Sequence, residues 1–143
     1  MTFPPGANTD GQGQAFLIGN PEVWNMPAPA SYASGSQTYL ASDILGGIIV
    51  HGNAGAVNGT MPTAALLVAA MRQIFGPQLA VGATVGCLIV NGGSNTITLL
   101  AGTGGGFDTN QSSGQSILTG TSKFVMVRFS NITIGSEAYV IYS

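Results

Sequence analysis

At 143 residues the chain suits a single domain, able to bury roughly two thirds of the surface that its unfolded form exposes. Three cations against five carboxylates, for a net charge of −2, exclude a nucleic-acid partner, because each phosphate contact normally draws on a Lys or Arg. Charged residues make up 6% of the chain, far below the usual share of about 25%, so a neutral surface of Ser, Thr, Asn and Gln must carry solubility, and such a surface suits permanent contact.

Residues 1 to 36 read as an extended arm. Pro4, Pro5, Pro21, Pro27 and Pro29 crowd its length, no period of 2 or 3.6 is sustained, and proline fixes the neighbouring backbone in extended geometry. "EVWNMPAP" carries the only tryptophan, Trp24, beside Val23 and Met26, an apolar anchor on a strap that is suited to docking on a partner. Trp24 folded back onto its own domain is the competing reading, since aromatic residues serve cores and interfaces alike. The start, "MTFPPGANTDGQ", has neither a basic stretch nor an apolar one, so no secretory signal is visible, and either assembly in a cytoplasm or a signal already removed is expected.

From Gln37 to Ser143 apolar runs recur between Gly, Asn and Ser, the pattern of a β-sandwich domain. Strands are predicted at 38–41, 46–51, 83–91, 95–101, 115–119, 123–130 and 137–142 from their Val, Ile, Thr, Tyr and Phe content. One helix interrupts them at about 62–75, with Thr60 as its cap, Pro62 in its first turn and Gly76 with Pro77 at its end. "CLIVNGGSNTITLL" predicts a tight hairpin, because Asn91, Gly92 and Gly93 readily take the positive φ that such turns demand. The polar, Gly-rich segment 101–116 predicts an exposed loop. The closing "FVMVRFSNITIGSEAYVIYS" predicts two strands around a short turn.

Apolar residues on both faces of 124–129, and along almost all of 64–71, exceed what the inside of one small sandwich can take. Leu66, Leu67, Met71, Val127 and Phe129 are therefore expected at an interface between identical chains. No apolar run approaches the ~18 to 20 residues of a membrane span.

Catalytic signals are sparse. His51 is the only histidine and no neighbouring residues supply a carboxylate partner and a nucleophile, so a partly buried histidine bonded to nearby backbone is expected. Cys87 is alone, which excludes an internal disulfide and points to a buried structural thiol. "GTGGGF" lacks the Lys and Ser/Thr of a phosphate loop, and the acids are scattered over separate predicted elements. No enzyme activity, cofactor or metal site is expected.

Taken in order, "MPTAALLVAAM", "VGATVGCLIVN", "TITLLAGTGG" and "KFVMVRFSNITIGSEAYVIYS" resemble a block of small tailed-phage virion proteins, the capsid decoration (cement) and head-fibre proteins. The resemblance spans about residues 38–143. It implies an all-β, jelly-roll-like sandwich with one short helix, which trimerises and sits on the major capsid protein of the virion, and it brings no catalytic residues. The chain departs from the pattern before Asn91, where Gly86, Cys87 and Leu88 make an apolar strand in place of a more polar one. The arm shares in no resemblance. A head-fibre module binding host glycan through 101–116 is the alternative, although Phe107 is the only aromatic there to stack on a sugar.

Overall fold

The computed structural model describes residues 7–9, 15–17, 27–111 and 115–143. Ala7–Thr9 (β1) and Ala15–Leu17 (β2) pair antiparallel. Val23, Trp24 and Met26, the expected docking anchor, lie outside the described residues.

From Ala30 the chain alternates between two sheets. It runs through β3 (Ala30–Tyr32), β4 (Gln37–Thr38), helix α1 (Ala41–Gly46), β5 (Ile48–His51), β6 (Val57–Thr60) and helix α2 (Ala64–Phe75). β7 (Thr84–Asn91), β8 (Ile97–Leu100), β9 (Gly105–Phe107), β10 (Gln115–Ile117), β11 (Ser122–Asn131) and β12 (Ala138–Tyr142) complete it. A six-stranded sheet has the order β3-β5-β7-β11-β12-β9, and a four-stranded sheet the order β10-β8-β6-β4. The six-stranded sheet thus takes in Ala30–Tyr32, ahead of the boundary expected at Gln37.

The expected all-β, jelly-roll-like sandwich is not what forms. A jelly roll is antiparallel, whereas here β3, β5 and β7 run parallel in one sheet and β4, β6 and β8 run parallel in the other. Parallel neighbours need a crossover, and the helices supply two of them. The chain goes β3–corner–β4 and returns through α1, then β5–corner–β6 and returns through α2, then β7–corner–β8. The result is a mixed α/β unit of three stacked coils. Tyr32, His51 and Asn91 stand in register down one sheet, and Thr38, Thr60 and Leu100 down the other. Hydrogen bonds carry the stack past the strand ends: Gly52 N to Tyr32 O at 2.7 Å, Gly92 N to His51 O at 3.1 Å, and Met61 N to Leu100 O at 2.8 Å. Antiparallel β10 and β11 then extend β8 and β7, and β9 runs parallel to β12 at the far edge.

The predicted hairpin at 87–100 is likewise corrected. β7 and β8 belong to different sheets, so 92–96 is a corner between layers. β11 and β12 do form the expected antiparallel pair, with a register shift between Phe129 and Asn131. α2 begins two residues later than predicted. Thr63 caps it by accepting from Leu66 N at 3.3 Å, Thr60 closes β6, and Gly76 ends the helix.

One hydrophobic core joins both sheets and both helices. α2 turns Ala64, Leu67, Val68 and Met71 inward, the i, i+3, i+4, i+7 stripe of a one-sided helix. β11 turns Val125, Val127 and Phe129 inward and leaves Phe124, Met126 and Arg128 outside.

Candidate functional site

A buried polar cluster lies at the corner of the first two coils. His51 is fully buried, and its Nε2 donates to Gly35 O at 2.8 Å. That bond fixes the tautomer, so the Tyr39 hydroxyl donates to Nδ1 at 2.9 Å. Tyr39 packs edge-on to the imidazole at 5.7 Å and tilted against Tyr32 at 5.6 Å. The Tyr32 hydroxyl donates to Asp43 Oδ2, which also accepts from Leu40 N at 2.7 Å and so holds the start of α1. Burial first, and then the Asp43 carboxylate, raise the Tyr32 phenol to about 12, and burial pushes Tyr39 higher still. Both ring nitrogens of His51 are engaged in tying one coil to the next. The imidazole bonds backbone as expected, but it is fully rather than partly buried and has the Tyr39 hydroxyl as its second partner, so it presents no free nitrogen to a substrate.

Asn53, Asn91 and Asn95 do the same at the next corner. Asn91 Nδ2 donates to Asn95 O at 2.7 Å and to Ile117 O at 2.9 Å, while its Oδ1 accepts from Gly93 N at 3.0 Å. Asn53 Oδ1 accepts from Asn95 N at 2.9 Å. Cys87 is buried in the core, and burial pushes its thiol up to about 12, a position without nucleophilic character.

The expected exposed loop at 101–116 is in its first part a packed seam. Tyr139 OH donates to Pro62 O at 2.8 Å and accepts from Gly102 N at 2.9 Å, so one hydroxyl ties β12, the entry to α2 and the Gly-rich segment together. A Cβ on Gly105 would stand 2.2 Å from the Tyr139 ring, and one on Gly102 would stand 2.4 Å from Met61 O and Pro62 O. Glycine is there because the chain passes beneath a ring and against backbone. Phe107, the one aromatic of this segment, is half-buried and packs against the core. An open cleft of about 430 Å³ lies beside this seam, lined by Thr63, Thr103, Ser136 and Glu137 among others. Glu137 is the single titratable group among the described residues that line it, and its carboxylate accepts from Gly135 N at 2.9 Å. Among the described residues no group of His, Cys, Asp and Glu is placed to hold a metal ion, and no helix is long and apolar enough to cross a membrane.

The surface is the more informative part. Leu67, Met71, Val127 and Phe129, expected at an interface, are buried in the chain's own core, because coil stacking puts two sheets and two helices over them. Of the five expected interface residues only Leu66 is outside, 58% exposed. The uncovered face of the terminal strands is the opposite one. Phe124 is 60% exposed and Met126 37%. Register places Leu88 beside Phe124, Ile48 beside Leu88, Tyr142 beside Met126, and Val140 beside Arg128, all on the same outer side of the six-stranded sheet. Alternation along 124–129 signalled this face in the sequence, but it could not say which of the two faces the core would take.

Comparison with known protein families, with characterised proteins and with solved structures finds no match for this chain.

Proposed function

We propose that this chain is a structural protein of a tailed-phage virion, a capsid decoration or cement protein that acts as a homotrimer on a shell of the major capsid protein. The observation that carries the reading is the broad, nearly uncharged apolar face on the outside of the six-stranded sheet, a surface made for lasting contact with protein. The ordered sequence blocks that resemble virion proteins supply the capsid and the threefold count. The polar clusters support a non-enzymatic role, since His51, Asn53 and Asn91 are saturated by contacts that hold the coils together.

The test is cosedimentation of the full chain with empty capsids of its own virus, together with the heat resistance of those capsids. Binding at micromolar concentration, with a rise in the temperature of capsid disruption, is expected. Absence of binding, with shell stability unchanged, would overturn the reading. If Trp24 anchors the chain to the shell, Trp24→Ala weakens binding by about 2 kcal/mol and leaves the domain's melting temperature unchanged.

A further inference from the structure

We infer that the outer face of the six-stranded sheet is the contact surface between identical copies of this chain, with Phe124 and Met126 at its centre. Two like faces packed against each other close a twofold pair, so the inference takes from the function proposed above only self-association, puts a dimer in place of its threefold count, and is independent of the capsid. β7 and β11 are the two middle strands of the sheet, and the side chains they send outward include Leu88, Phe124 and Met126. Ile48 on one side and Val140 and Tyr142 on the other continue the apolar surface. Gly86 shapes it: a Cβ there would lie 2.5 Å from Phe124 Cζ, so the ring lies down across the neighbouring strand instead of standing away from the sheet. Neutral polar residues, Ser31, Thr84 and Ser122, sit at its margins, with Arg128 as the one charge among the described residues. An apolar centre within a polar rim is the anatomy of a protein interface.

Area and charge identify the occupant. Six strands spaced about 4.8 Å apart span roughly 24 Å, and Thr84 to Val90 at about 3.3 Å per residue spans roughly 20 Å. Each chain therefore offers about 500 Å², and two such faces together bury about 1,000 Å², the threshold of a specific interface. A partner must match that area with a flat apolar surface and must not bring charges that would be buried unpaired. A second copy does both, and like faces meet without conflict because the only charge among the described residues of the face, Arg128, lies at the edge. Stacked sheets sit about 10 Å apart, a spacing that the side chains of this face can fill from both sides.

Sedimentation equilibrium of the full chain tests this. The wild type is expected to sediment as an oligomer at 20 µM, and a Phe124→Glu, Met126→Glu variant as a single 14.4 kDa chain with unchanged circular dichroism. Leu66→Glu with Ile74→Glu, on the outside of α2, is expected to leave the oligomer intact. A second measurement avoids charged substitutions: Met126→Cys treated with a short bis-maleimide is expected to give linked chains, with Cys87 buried and unreactive, and Gln73→Cys is expected to give none. A monomeric wild type at 20 µM, including one whose own N-terminal residues cover Phe124, overturns the inference, as does an oligomer that survives the Phe124 and Met126 changes. Capsid binding by a chain that stays oligomeric through another surface would sink this inference alone. Self-association through this face without capsid binding would sink the capsid reading alone.

Discussion

Asn91 shows how a single side chain sets the fold. Its two amide protons and its carbonyl oxygen together engage Asn95, Ile117, Gly93 and Asn53, so the buried group reaches almost full hydrogen-bonding capacity. Asn91→Ala removes all of these and strands a buried carbonyl and a backbone N–H, and a loss of about 3 kcal/mol in urea denaturation is expected. The Asn-Gly-Gly signal marked a change of direction, but the tight turn it predicted is absent, and none of the three residues takes a positive φ. That β5 and β11 take both sides of β7, and that Asn53 bonds Asn91 and Asn95 at the corner, was not legible in the sequence, because nothing local links residues so far apart. Gly105 offers a contrast with its neighbour: Gly105→Ala drives a methyl into the Tyr139 ring and should cost about 1–3 kcal/mol, while Gly106, with open space around its Cα, should accept Ala within about 0.5 kcal/mol. The buried phenols and thiol set the alkaline limit. Burial raises Tyr139 from 10.0 to about 12 and Cys87 from 9.0 to about 12, and raises Tyr39 as well. Each favours the folded state while it stays neutral. Their contribution is therefore complete below about pH 9 and is lost as pH climbs toward 12. Melting temperature is expected to fall across that window, and the tyrosinate absorbance of Tyr39 and Tyr139 to appear only with unfolding.

Among the elements, α2 was the most legible. Pro, Thr, an apolar run and Gly in that order mark a helix, and only its cap moved, from Thr60 to Thr63. Its uniformly apolar sequence concealed which side is buried. Leu67→Ala should cost about 2–5 kcal/mol, because it empties a fully enclosed site, whereas Leu66→Ser, one residue earlier and outside, should stay within about 0.5 kcal/mol. Thermal or urea unfolding of the two variants, compared with wild type, checks the assignment of faces. The short strands were far less legible. β4 and β6 read "QT" and "VNGT", with no alternation to find, and they exist because the coil above or below offers a backbone ladder. α1 was missed for a related reason. Its six residues are held at the start by Asp43 and at the end by Gly47 in a left-handed conformation, signals that mean little without the strands on either side.

At the scale of the whole molecule, the coil repeat escapes the sequence because its returns differ in length. α1 has six residues and α2 twelve, so no fixed spacing connects β3, β5 and β7, although their residues stand in register. Repeat units of this kind bury their apolar faces only by stacking, and here the stack is closed by the antiparallel strands β10, β11 and β12. Closure accounts for the apolar excess only in part. It absorbs Val127, Phe129, Leu67 and Met71, and it leaves Phe124, Met126 and their neighbours as the surface through which copies of the chain would meet. The most direct measurement is hydroxyl-radical footprinting of the full chain as a function of concentration. The account expects Phe124 and Met126 to be protected at 20 µM and to become reactive on dilution, while Leu66 and Ile74 react throughout. Phe124 and Met126 reacting equally at every concentration would contradict it.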